Sequence, residues 1–233
     1  MKRIIILAVL CGLLAGCAAM APDHTMGLVR AFSAEEINAD PMRIDGMVVK
    51  HSNLTGMRLE NITLKNTTFW HSSGRDIVLR NVVFENCRFV DAQFEGGVME
   101  NVTFKGGLLT CFHDRDNTSQ RTRFSGMAMR NVTFDGVSME SLIMEVTGGS
   151  VTLRGMHIIY AQEPLIRGKD TDLVLEDCTL SRIPAIAALD GESTLLVRDC
   201  VFSGGTRIGP SDFKKVLFER SVSYSGSVYT PKR

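Results

Sequence analysis

From Leu54 onward an apolar residue returns at every fifth position. The series runs Leu54, Leu59, Leu64, Phe69, Gly74, Leu79, Phe84, Phe89, Phe94, Met99, Phe104 and Leu109. It skips Asp114 and Ser119, then resumes in phase with Phe124, Met129, Phe134, Met139 and Met144. Sixteen of these nineteen positions are Leu, Phe or Met. Leu, Ile, Phe and Met together make up about a quarter of the chain, so chance would place about five there. A period of five is neither the 3.6 of a helix nor the 2.0 of a strand, which excludes a simple amphipathic element. Repetition of this kind points to stacked coils that share one continuous core.

Two residues before each centre sits a second, smaller set: Met57, Ile62, Thr67, Ile77, Val82, Cys87, Ala92, Val102, Val132 and Val137. Asn, Glu, Arg, Lys and Thr lie between. Segments such as Val82-Val83-Phe84-Glu85-Asn86 and Cys87-Arg88-Phe89-Val90-Asp91 resemble the pentapeptide-repeat family, over roughly residues 52–146. That resemblance implies a right-handed quadrilateral β-helix with four pentapeptides per coil. The chain departs from the family just before the centre, where Arg58, Thr63, Val83, Arg88 and Thr103 replace the frequent Asp or Asn. The departure implies a wider or less regular tube.

With twenty residues per coil, Leu64, Phe84, Phe104, Phe124 and Met144 would form one inner column, and Phe69, Phe89, Leu109 and Met129 another. Coils stack at about 4.8 Å, so each residue would touch its equivalents above and below. Asn61, Asn81 and Asn101 would fall in one outer column, beside Glu60, Arg80 and Glu100.

After residue 150 the pitch lengthens. Leu153, Leu175, Val197 and Phe218 recur at steps of 22, 22 and 21 residues, each in a short apolar run followed by a turn. This resembles, at fold level only, the right-handed β-helix superfamily of polysaccharide lyases and phage tailspikes. The expected fold is therefore all-β: a right-handed parallel β-helix, pentapeptide-repeat-like in its N-terminal half, with 21–22-residue coils in its C-terminal half. Open β-helix ends expose unpaired edges and need caps. Ser33-Ala34-Glu35-Glu36 has capping-box form, and Pro41 follows, which predicts a short capping helix near residues 34–40.

The first residues read as an export signal: Lys2 and Arg3, an apolar stretch from Ile4 to Leu14, then small residues. Leu14-Ala15-Gly16-Cys17 resembles the lipobox of bacterial lipoproteins, which implies cleavage before Cys17 and acylation there. Ala18 after the cysteine favours, by the same resemblance, outer-membrane sorting. The expected organisation is a signal peptide over 1–16, a lipid-anchored tether over 17–30, one β-helix domain with its cap over 31–226, and a tail over 227–233. Removing the signal leaves 24 basic against 26 acidic residues, a formal net charge of −2. A near-neutral body has no electrostatic reason to seek nucleic acid. Some pentapeptide-repeat proteins imitate DNA, but that requires a strongly acidic rod. Of the six cysteines, Cys87, Cys178 and Cys200 take inward repeat positions as small hydrophobes. A Cys178–Cys200 disulfide between adjacent coils stays open, as does a Cys87–Cys111 pairing.

Polar runs break the series at Trp70-His71-Ser72-Ser73-Gly74 and at Cys111–Arg123. In square register Gly74, Phe94 and Asp114 would share a column, so both breaks would lie near one edge, about two coils or ~10 Å apart. Trp70, His71, Asp91, His113, Asp114, Arg115 and Asp116 are the candidate binding residues. Loops on a rigid scaffold often carry function. In the second half, the segments 162–172, 183–193 and 204–212 would protrude as turns, carrying Glu163, Arg167, Lys169, Asp170, Asp172, Asp190, Glu192 and Arg207. No nucleophile elbow, HExxH, P-loop or CxxC occurs. No catalytic residue, metal ligand or cofactor is therefore assigned. The expected function is a non-enzymatic envelope lipoprotein: a rigid scaffold held to the outer membrane by its lipid, binding a protein or glycan partner. The alternative is a carbohydrate-active β-helix enzyme using carboxylates such as Asp114, Asp116, Asp170 and Asp172.

Overall fold

The computed structural model describes residues 29–110, 122–139, 143–158, 164–209, 211 and 213–223. The chain winds into a right-handed parallel β-helix of about eight turns. Every strand pairing is parallel, coil upon coil. The widest sheet has nine strands, among them Arg58–Lys65, Ser73–Glu85, Gln93–Lys105, Arg123–Asp135, Ile143–Arg154, Ile166–Glu176, Thr194–Arg198 and Lys215–Glu219. A narrow six-stranded sheet runs through Val48–Lys50, Thr68–Trp70, Arg88–Val90 and Leu108–Thr110 to Ser138–Met139. A four-stranded sheet, His157–Ile158 to Val222–Ser223, covers the C-terminal coils.

The five-residue period works because the backbone turns every five residues. Asn61, Asn66, His71, Asp76, Asn81, Asn86 and Asp91 all have φ between 47° and 55°, the left-handed conformation that Asn, Asp and His tolerate best among non-glycines. Of the residues that follow each such turn, the first points inward, and the third is the apolar centre except after His71, where it is Gly74. The inward small residue also solves a backbone problem. At a corner the ladder is interrupted, and a buried carbonyl without a partner costs about 1–3 kcal/mol. Thr67 Oγ1 donates to Ile44 O at 2.8 Å, Ser72 Oγ to Val49 O at 3.0 Å, and Cys87 Sγ to Leu64 O at 3.3 Å.

The core is one continuous column of stacked side chains. Phe69 lies on Phe89 with centroids 4.8 Å apart, and Phe84 on Phe104 at 5.0 Å. Phe84 and Phe89 meet edge to face at 5.3 Å, so the two stacks interlock. The expected columns hold up to residue 109 and then change. Phe104 pairs with Phe134, not Phe124, and Leu109 with Met139, not Met129. Phe124 instead follows Phe94. One coil is thus thirty residues long. With Gln93 paired to Arg123 and Leu108 to Ser138, the stretch between Thr110 and Thr122 lengthens the coil by ten residues. Ten is twice the repeat, so the sequence phase is unaffected.

The N-terminal end is closed by the helix Ala34–Ala39. Ser33 accepts from Glu36 N at 3.1 Å while Glu36 accepts from Ser33 N at 3.0 Å, a complete capping box. Ile37, Ile44 and Phe32 are buried over the first coil. Pro41 starts a further 3-10 turn, Pro41–Ile44. The second-half segments depart from expectation. Arg167, Lys169, Asp170 and Asp172 lie in the strand Ile166–Glu176, and Asp190 in Ala187–Asp190. Ile183, Ile186 and Ile208 are fully buried, and their burial holds these segments against the core. Glu163 lies outside the described residues.

Candidate functional site

Along one edge of the narrow sheet the regular pattern carries unusual side chains. Lys50, Trp70 and Val90 are in register on successive coils, and the corner residues that follow them are His51, His71 and Asp91. Phe69 points into the core, so Trp70, one residue on, points out. Lys50 Nζ sits 5.1 Å from the Trp70 ring centroid, a cation–π contact. The imidazoles of His51 and His71 stack at 5.3 Å with planes 16° apart. The Trp70 and His71 rings lie 6.0 Å apart.

Asp91 is the unusual member. Its side chain is 1 % exposed, while that of His71 is 31 % exposed; His71 Nε2 and Asp91 Oδ2 are 3.5 Å apart. When protonated, His71 forms an ion pair with this buried carboxylate. The neighbouring hydroxyls are committed to the fold. Ser52 Oγ accepts from Phe32 N at 2.9 Å, and Ser72 Oγ accepts from Ser52 N at 3.3 Å. Neither is a free nucleophile.

The same edge is where the thirty-residue coil departs. Asp91 N donates to Thr110 O at 3.1 Å. Thr122 Oγ1 donates to Thr110 O at 2.6 Å and accepts from Ala92 N at 3.3 Å, which closes the coil again. The ends of the inserted segment are therefore pinned beside Asp91. His113, Asp114, Arg115 and Asp116 lie within that segment and outside the described residues, as do Cys111 and Cys17. Of the expected binding residues, the structure brings together Trp70, His71 and Asp91. Sequence reasoning missed Lys50 and His51. The signal was present, since His51 stands twenty residues before His71.

The second-half carboxylates are engaged between coils. Asp170 Oδ1 accepts from Glu192 N at 3.0 Å, Asp172 Oδ1 accepts from the Thr194 hydroxyl at 2.5 Å, and Glu192 is bonded to Lys214. Among the described residues no group of three or more His, Cys, Asp or Glu is placed to hold a metal ion. Cys87, Cys178 and Cys200 are buried free thiols. Cys178 donates to Leu153 O at 3.3 Å, as Cys87 does to Leu64 O, so both act as the hydroxyls do at other corners. Burial pushes the Cys87 thiol up to about 11. The Cys200 thiol beside it, and then burial, hold Cys178 protonated.

Among the described residues no helix is long and apolar enough to cross a membrane. No family model, no curated protein and no solved structure matches the chain.

Proposed function

We propose that this protein is a non-enzymatic envelope scaffold. It is exported, anchored through lipid at Cys17 to the outer membrane, and it binds a partner along the Lys50–Trp70–His51–His71–Asp91 edge. Coils of twenty residues with a left-handed turn every five support placing residues 52–146 with the pentapeptide-repeat proteins.

One observation carries the binding reading: a half-buried Trp, a cation over its ring and a stacked imidazole pair on an otherwise repetitive wall. A rigid sheet supplies preorganisation, and aromatic and cationic side chains are the residue types that dominate binding energy. With Lys50 over the Trp70 ring, the edge offers positive charge beside aromatic rims. That combination suits a carboxylate-bearing partner, either an acidic peptide or a uronate-type glycan. The coil-to-coil bonds of Asp170, Asp172 and Glu192 favour binding over turnover.

In-cell crosslinking of the lipidated protein followed by mass spectrometry tests this. The expected result is a defined partner, lost in the Trp70→Ala/His71→Ala variant and in a variant with residues 113–121 replaced by a Gly/Ser loop, which keeps Thr122 and its closure of the coil. A partner retained by both variants, or cleavage of envelope polysaccharide by the purified protein, would overturn the reading. Lipidation is tested separately. Labelled palmitate should appear in the wild type and vanish in Cys17→Ser.

A further inference from the structure

The two ends of the solenoid differ. The N-terminal coil is covered by its helix. At the other end, among the described residues, no strand pairs with the outer edge of Lys215–Glu219, the last strand of the wide sheet. Phe218 stands in the column of Leu153, Leu175 and Val197, all fully buried, yet Phe218 itself is 43 % exposed. Leu217 and Val222 are exposed to a similar degree. An apolar column that ends on an unpaired strand edge is a ready template for pairing with another strand.

The strand also carries its own specification for a partner. Lys215-Val216-Leu217-Phe218-Glu219 reads as a positive residue, three apolar residues and a negative residue. Antiparallel pairing of this strand with itself about Leu217 places Lys215 opposite Glu219 of the second copy at both ends. Val216 then meets Phe218, and Leu217 meets Leu217. A parallel pairing would set Lys on Lys and Glu on Glu, which is unfavourable. The geometry points to a second copy of this chain as the occupant of the open end, docked tail to tail about a two-fold axis at Leu217. The wide sheets of the two copies then run on through the interface as one sheet. Such an interface is isologous. Because the opposite end is capped, association closes at two copies and does not grow into a filament.

The test is a full-length Leu217→Cys chain under mild copper–phenanthroline oxidation. Directly opposed residues in antiparallel strands have Cα atoms about 4.5–5.5 Å apart, which a disulfide spans. Both this variant and its control carry serine at Cys11, Cys17 and Cys111, leaving only the buried Cys87, Cys178 and Cys200; a covalent dimer is expected with Leu217→Cys and not from the control. Adding Glu219→Lys, or Lys215→Glu, should lower the dimer yield about tenfold through like-charge opposition. The double swap Lys215→Glu/Glu219→Lys should restore it. Within one chain Glu219 also pairs with Arg198 at 2.9 Å. The double swap leaves that pair broken, so damage to folding would not be rescued. Equal crosslinking whatever the charges would overturn the proposal, as would no crosslinking together with a monomer mass in sedimentation. If a chain ending at residue 223 crosslinks while the full chain does not, the edge belongs to residues 224–233 and not to a second copy.

Discussion

The two halves of the rod reach the same architecture by different means. Up to about residue 135 the coil is square, and local chemistry sets its corners. The left-handed turns at Asn61, Asn81, Asn101 and Asn131 are linked by side-chain amides, Asn81 to Asn61 at 2.8 Å, Asn101 to Asn81 at 3.0 Å and Asn131 to Asn101 at 2.9 Å. The ladder ends where Asn131 N donates to Ser150 Oγ at 3.0 Å. There the register between Arg123–Asp135 and Ile143–Arg154 shifts three times. Beyond this point the coils lengthen and, among the described residues, the amide ladder does not continue, while ion pairs, which in the first half run beside it (Arg80 to Glu60 at 3.3 Å and to Glu100 at 3.5 Å), do. Arg154 meets Asp135 at 2.6 Å, Arg198 bridges Glu176 at 3.1 Å and Glu219 at 2.9 Å, and Arg220 meets Asp199 at 2.7 Å. The aromatic stack also ends in this region: Phe134 is followed in register by Leu153, Leu175 and Val197. A strict local repeat needs, at every corner, a residue that tolerates the left-handed conformation. A looser repeat needs only that successive coils agree with each other.

The largest test of this contrast is in the core. Phe104 lies between Phe84 at 5.0 Å and Phe134 at 4.6 Å. Phe104→Ala should cost about 3–5 kcal/mol in denaturant unfolding, and Val197→Ala about 2 kcal/mol. Phe→Ala removes more buried area than Val→Ala, so equal costs would mean that the aromatic column absorbs a cavity more readily than the second half does. Next comes the amide ladder. Asn101→Ala removes two side-chain hydrogen bonds and forces alanine into φ 54°. The expected loss is about 2–3 kcal/mol, with exchange of amides rising in the coils on either side. A loss confined to its own coil would break the ladder account.

The buried thiols test a device that both halves share. Cys87→Val and Cys178→Val each leave a corner carbonyl without its donor and should cost about 1–2 kcal/mol, while the serine variants keep the donor and should cost less. A valine variant as stable as the wild type would remove the role assigned to the thiol. With its pKa at about 11 and its side chain buried, native Cys87 should resist iodoacetamide at pH 8 and react in urea.

The smallest expected effect concerns pH. The carboxyls of Asp135 and Asp199 are held below their ordinary value, chiefly by hydrogen bonds from Arg154 and Arg220. A depressed carboxyl contributes stability above its unfolded pKa and loses it as pH falls through the folded value. Both side chains are partly exposed, 29 % for Asp135 and 38 % for Asp199, so solvent screening keeps the contribution small. Acidification below the usual carboxylate range should raise amide exchange more around Asp135, Arg154 and Asp199 than around 60–105, where the ion pairs of Glu60, Glu85, Glu95 and Glu100 are backed by an Asn ladder that does not titrate. A uniform rise would count against the amide ladder as a brace for the first half.

Much of the site was legible, and for the same reason as the fold. Trp70, His71 and Asp91 occupy positions that the repeat assigns to one edge, so their neighbourhood followed from spacing. Lys50 and His51 obey the same spacing but precede the apolar series, where no break in pattern drew attention to them. The burial of Asp91 was not legible, since corner residues elsewhere in the repeat face water. The carboxylates of the second half were misplaced because turn-like composition outweighed the apolar residues, Ile183, Ile186 and Ile208, that hold those segments inward.

The sequence by itself determined the parallel coil, the inward columns up to residue 109, the change of pitch near residue 150 and the helix that caps the first coil. Each of these is a local or periodic property, written again at every repeat. Only the tertiary structure decided that one coil holds thirty residues, that Phe104 therefore meets Phe134, and that the strand at Lys215 ends in an open edge. A period of five cannot tell twenty from thirty, because both are whole multiples of it. The choice is made by hydrogen bonds between coils, which join residues far apart in the chain and leave no mark in its phase.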